Sequence, residues 1–208
     1  MLKVENLSFA YSEEARFRFP DVSLADGEDL VILGQSGVGK TTLLHLMAGL
    51  LEPEAGSVVL NGTMLQTLSG AALDRYRGQH MGIVFQKPYF VRALSVMENL
   101  LLIQHLSKKG KDVARCEAVL EQLNMLDKRH RKPHTLSEGE QQRIAIAMAV
   151  VNQPDLLLAD EPTASLDDAN CASVLELLKH EANRAKAHLI IITHDQRVRA
   201  AFSNHISL

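Results

Sequence analysis

The chain has 208 residues, of which 46% are apolar, the size of one large domain, or one domain with an inserted subdomain, around a substantial core. Its formal net charge of −3 excludes a globally basic surface, and no nucleic-acid partner is expected.

In chain order, the opening segment Met1–Tyr11 has a single Lys3 and no long apolar stretch after it, so it does not read as a signal peptide. Residues 1 to about 28 read as short strands with turns, Val4–Leu7 and Arg16–Phe19 among them, and predict an antiparallel piece. Asp29–Leu33 is a short apolar run of the buried-strand kind, followed by a Gly-rich loop and a helix over Thr42–Gly49, with Gly49 near its end. Gly82–Phe85 is a second buried strand. Leu94–Leu106 is apolar-rich but broken by Glu98, Asn99 and Gln104, short of the roughly 18 residues that span a bilayer. Helical spacing recurs in Val113–Leu126 and Gln141–Val151, and residues from about 88 to 150 predict an inserted helical subdomain. The basic run Lys128–Lys132 within it reads as a solvated loop. Leu156–Ala159 and Leu189–Ile192 are further strands, and Asp167 or Asp168 between them can cap a helix running to about Ala187. Strands alternating with helices predict one α/β domain over residues 1–208 with a mostly parallel sheet. Cys116 and Cys171 have neither metal-site nor disulfide-framework spacing, which fits a reducing compartment.

Two segments carry chemistry. Gly34-Gln-Ser-Gly-Val-Gly-Lys-Thr41 has the form G-x-x-x-x-G-K-[ST] between a strand and a helix, the phosphate-binding loop. Its glycines let backbone N–H groups curl around phosphate oxygens, and the helix N-terminus adds partial positive charge. Lys40 would reach the β- and γ-phosphates and Thr41 would ligate Mg²⁺, so ATP and Mg²⁺ are the expected cofactors. Gly34, Ser36, Gly37, Gly39, Lys40, Thr41 and Thr42 are the expected nucleotide contacts of this loop. The second segment, Leu156-Leu-Leu-Ala-Asp160-Glu161, is an apolar strand ending in two carboxylates. Asp160 would hold Mg²⁺ through water and Glu161 would polarise the attacking water. An acidic strand end is also commonly just a helix cap, and its place after a phosphate loop is what lifts it above that reading.

Leu136-Ser-Glu-Gly-Glu-Gln-Gln-Arg143 resembles the signature motif of ABC-transporter ATPases, LSGGQ in its usual form, and it also reads as a capped helix start with Ser137 and Glu140. The resemblance covers essentially the whole chain. It implies a P-loop NTPase of ABC type, with the antiparallel N-terminal piece and the inserted helices just described. It further implies that Tyr11 stacks on the adenine and that Gln86 senses the γ-phosphate and Mg²⁺. Ser165-Leu-Asp167 would be the D-loop, and His194 the switch histidine that acts with Glu161 and Gln86 in catalysis. Ser137 and Gly139 would serve a nucleotide held by a second copy, in a head-to-tail homodimer that sandwiches ATP. Leu73–Arg77, His80–Gln86, Leu94–Leu100 and the Glu140–Arg143 tail resemble the subgroup of lipoprotein-release, macrolide-export and division-apparatus ATPases.

The implied function is ATP hydrolysis that powers a separate transmembrane permease, for export or extraction of a substrate from the membrane. The implied location is cytoplasmic, peripheral on the inner face of the membrane through that partner. The competing implication is transmembrane signalling without transport. Two positions depart from the pattern: Glu138 stands where the family has Gly, and Met148 where the subgroup usually has Arg.

Overall fold

The computed structural model describes residues 1–164 and 166–208. Its elements run β1 (Leu2–Ala10), β2 (Arg16–Arg18), β3 (Val22–Leu24), β4 (Asp29–Leu33), α1 (Lys40–Met47), β5 (Ala55–Leu60), β6 (Thr63–Met64), α2 (Ala71–His80) and β7 (Met81–Val84). They continue with α3 (Val96–Leu106), α4 (Val113–Gln122), α5 (Glu138–Val150), β8 (Leu156–Asp160), α6 (Asp168–Ala185), β9 (His188–Thr193), α7 (Gln196–Ala201) and β10 (His205–Ser207).

Strands β10-β4-β9-β8-β7 form a parallel sheet in that order. The central strands are apolar at nearly every position because both faces are covered. Leu30 and Ile32, Leu156 and Leu158, and Ile190 and Ile192 enter one apolar cluster; Val31 and Leu33, Leu157 and Ala159, and Leu189 and Ile191 enter the other. The two-residue period of a strand makes this division obligatory. Helix α1 and the antiparallel sheet cover the first face through Leu43, Met47, Val4 and Val58. Helices α3 to α7 cover the second, with Leu100, Leu120, Ile144, Leu178 and Val198. Each such buried aliphatic side chain contributes roughly 1.5–3 kcal/mol relative to exposure.

The antiparallel sheet has the order β2-β1-β5-β6, with β3 also on β1. The expected N-terminal piece is therefore present, but β5 and β6 complete it from later in the chain. Their hairpin has no counterpart in the sequence reading, although Asn61-Gly62 signals it. Both residues take left-handed backbone (φ 49° and 80°), which a two-residue primed turn requires.

Several boundaries shift for local reasons. Helix α6 stops at Ala185, where Lys186 turns left-handed (φ 55°), rather than at Ala187. Helix α4 ends at Gln122 and Asn124 turns left-handed, short of Leu126. The basic run Lys128–Lys132 is not a free loop. The carbonyl oxygens of Arg131 and Arg129 accept hydrogen bonds from the N–H groups of Val96 and Met97, both at 2.9 Å, and so satisfy the first turn of α3. At Gly82 any Cβ would stand 2.2 Å from the Ala149 carbonyl oxygen, so only glycine lets α5 lie this close on β7. Among the described residues no helix is long and apolar enough to cross a membrane.

Candidate active site

Strand register assembles the site. Leu33 pairs with Thr193 and Asp160 pairs with Ile192, so Gly34, Glu161 and His194 leave the sheet side by side at its C-terminal edge. Gln86 follows β7 at the same edge, because Val84 pairs with Ala159. In parallel α/β sheets this edge is where ligands bind.

The loop after β4 is built for an anion. Gly37 and Gly39 take left-handed backbone (φ 88° and 99°), and a Cβ at Gly39 would meet the Phe17 ring at 2.7 Å. Helix α1 then opens at Lys40 with no acidic residue in its first turn and no side-chain cap, which leaves N–H groups directed at the cleft. The Lys40 ammonium is buried at 7% exposure and donates to the carbonyl oxygens of Gly34 (2.7 Å) and Gln35 (2.9 Å). It also stands 3.6 Å from Glu161 Oε1.

These groups floor a cleft of about 600 Å³. Gly39, Lys40, Thr41 and Thr42 line it with Gln35, Ser36 and Gly37; Gln86, Glu161 and His194 stand on one side, and Tyr11 and Phe17 on another. Tyr11 is 61% exposed at the mouth. It is held edge-on to Phe9 (4.8 Å) and Phe17 (6.2 Å), with its hydroxyl 3.2 Å from Thr42 Oγ1. The arrangement pairs an apolar, stackable end with a cationic, amide-rich end, as a nucleoside triphosphate requires.

The acidic pair divides its work by environment. Thr41 donates to Asp160 Oδ2 at 3.0 Å, while Asp160 Oδ1 is buried with no partner among the described residues. Burial holds the Asp160 carboxyl above the usual aspartate value; the Thr41 hydrogen bond opposes that and the Glu161 charge adds to it. An orphaned carboxylate oxygen beside a threonine hydroxyl is a donor set that suits a hard divalent cation such as Mg²⁺. Glu161 itself sits at φ 46°, uncommon for a residue with a side chain and typical of functional positions. Its N–H donates to the Ile192 carbonyl (2.9 Å), Thr193 donates to Oε2 (2.8 Å), and His194 Nδ1 lies 2.8 Å from Oε1.

Five expected site residues do not line this cleft: Gly34 and Asp160 stand just behind it, bonded to Lys40 and Thr41, and three lie away from it. Ser137 and Gly139 are exposed at the start of α5, where Ser137 and Glu140 form a reciprocal capping box. Asp167 caps α6 through Asn170 N–H at 2.8 Å. Ser165 falls outside the described residues. Phe17, Gln35 and Thr193 are in or against the site without having been singled out from the sequence. Gln35 belongs to the phosphate loop itself, whereas the places of Phe17 and Thr193 depend on strand pairing, which a one-dimensional reading of Arg16–Phe19 or Ile190–Thr193 does not contain.

The family model described as ABC transporter matches residues 19–164, from before the phosphate loop to past the acidic pair. The chain belongs to the ABC transporter family. It is an ATP-binding subunit of that family, and it hydrolyses ATP. This ABC ATPase is 39% identical over 204 residues to the lipoprotein-releasing system ATP-binding protein LolD of Xanthomonas oryzae pv. oryzae, covering 94% of this chain and 83% of that one. A second LolD, from Rhodopirellula baltica, is 37% identical over 186 residues, 86% of this chain and 73% of its own. Among solved structures, the dimeric bacterial ABC transporter cassette MJ0796 superimposes with a TM-score of 0.88 at 29% identity, covering 100% of this chain and 94% of that one. A post-hydrolysis dimer of the same cassette, bound to ADP and phosphate, matches equally well.

Proposed function

We propose that this ABC ATPase drives a separate membrane-spanning permease that extracts lipid-anchored proteins from the membrane, working from the cytoplasmic face. The observation that carries this reading is the 39% identity to a lipoprotein-releasing ATP-binding protein over 94% of the chain. The whole chain acts as one ATPase domain, and its helices between about residues 88 and 150 form an inserted subdomain that bears on the permease. A groove beside Gln86 supports that contact: Leu50, Tyr89 and Leu106 on its rim are exposed at 40%, 74% and 64%. Exposed apolar side chains gathered at one groove mark a partner surface.

In the cleft, Lys40 and the loop amides of Gly34 to Thr42 hold the phosphates and Tyr11 stacks on the adenine. Thr41, Asp160 and Gln86 hold Mg²⁺, which when bound shields phosphate charge. Glu161 accepts a proton from water, and His194 and Gln86 orient the reacting groups. Two copies pair head to tail, so that Ser137, Gly139 and Asp167 of one copy complete the site of the other. This accounts for their lying away from the cleft of their own chain.

The test is purification of the tagged chain from detergent-solubilised membranes. A multi-spanning protein should accompany it, and the reconstituted pair should release a lipoprotein from proteoliposomes in ATP. A partner that stimulates ATP turnover without any release would turn the reading toward signalling.

Glu138 bears on the dimer. It is exposed in the first turn of α5, beside the Ser137 that meets the partner's nucleotide. Glu138→Gly removes an anion facing a triphosphate and should tighten ATP-dependent dimerisation about tenfold, ~1.4 kcal/mol, the size of one partly screened like-charge contact. Unchanged dimer affinity by analytical ultracentrifugation would mean that the side chain points away from the phosphates.

A further inference from the structure

We infer that Thr193 is a positioning residue for hydrolysis, fixing the Glu161 carboxylate through a single committed hydroxyl proton. The inference rests on the reading of Glu161 as the group that activates water. Thr193 is fully buried at the end of β9 and does not line the cleft. Its Oγ1 accepts the N–H of Asp195 at 3.0 Å and lies 2.8 Å from Glu161 Oε2. A hydroxyl has one proton. The Asp195 amide can only donate, so that proton goes to Glu161.

The carboxylate therefore has an inner and an outer oxygen. Oε2 is held by the Thr193 hydroxyl and, more weakly, by the His194 N–H at 3.4 Å. Oε1 is turned toward His194 Nδ1 at 2.8 Å and Lys40 at 3.6 Å, on the cleft side. Anchoring Oε2 from behind restrains rotation of the carboxyl and keeps Oε1 on the cleft side, beside His194 and Lys40. A general base displaced by about 1 Å can cost on the order of 10²-fold in rate.

The test measures kcat and KM for ATP in Thr193→Val, which keeps shape and removes the donor, and in Thr193→Ser, which keeps the donor. Thr193→Cys, with a weak donor of similar size, carries the test should the valine protein fold poorly. Thr193→Val and Thr193→Cys should lower kcat about tenfold or more with KM within about twofold, and Thr193→Ser should run near the parent rate. A double-mutant cycle with Glu161→Gln locates the effect. Thr193→Val should slow Glu161→Gln no further, because there is no base left to orient. A parent-like kcat in Thr193→Val overturns the inference, as does a serine variant as slow as the valine one. An equal further loss in the Glu161→Gln background also overturns it, since the hydroxyl then acts elsewhere. Glu161→Gln turning over at the parent rate would remove the reading of Glu161 itself, an outcome distinct from the other three.

Discussion

Glu161→Gln should cut ATP turnover by about 10²-fold or more, the scale of a lost general base, while ATP still binds. Glutamine keeps the size of the side chain and can still take the Thr193 hydrogen bond, but it cannot accept a proton from water. The groups that hold the ground-state nucleotide remain in place: Lys40 stays at the loop carbonyls, and Thr41 stays 3.0 Å from Asp160. Binding and chemistry therefore separate. If hydrolysis is what dissolves the ATP sandwich, blocking it traps the dimer. Size-exclusion chromatography in ATP and Mg²⁺ should show a dimer for Glu161→Gln, and ADP should not produce it. Parent-rate turnover would shift the catalytic role elsewhere, with His194 next, since its Nδ1 lies 2.8 Å from the same carboxylate. A slow protein that stays monomeric would keep the assignment of Glu161 and count against the dimer, with Glu138 the first residue to replace.

Lys40→Ala should weaken ATP binding about 10²-fold or more, the scale of removing one partner from a desolvated charge pair. The ammonium is buried, and its contacts within the chain are two carbonyl oxygens and the nearby Glu161. A triphosphate arriving at the loop offers that cation far better compensation than neutral carbonyls do. Alanine leaves the Gly34 and Gln35 carbonyls without this donor, so a thermal melt should accompany the titration to show that the variant is folded. Fluorescent-nucleotide titration then measures affinity. Parent-like binding by a folded Lys40→Ala protein would remove the phosphate-loop assignment.

Sequence and structure contributed unequally to these two predictions. Lys40 and Glu161 were both legible, since each sits in a local pattern: a Gly-rich turn between strand and helix, and an apolar run closed by carboxylates. Helix starts were legible for the same reason. Ser137 with Glu140 forms the capping box that their spacing specifies, and Asp167 caps α6. The buried strands Asp29–Leu33 and Leu156–Asp160 declared themselves by being apolar at nearly every position. The β5–β6 hairpin was legible in Asn61-Gly62 although the reading passed over it.

What the sequence by itself determined was the kind of chemistry, the candidate residues for it and the alternation of strand and helix. Capping, loop turns and strand burial are set by residues within a few positions of one another. What only the tertiary structure decided was who stands beside whom. The register that pairs Leu33 with Thr193 and Asp160 with Ile192 brings the Thr193 hydroxyl to Glu161 and Glu161 toward Lys40. It was also the fold that brought the basic run onto the first turn of α3 and Phe17 against Gly39. These are contacts between distant segments, and strand order and helix packing place them. No local pattern encodes strand order, because every buried strand of a parallel sheet presents much the same apolar face to each possible neighbour.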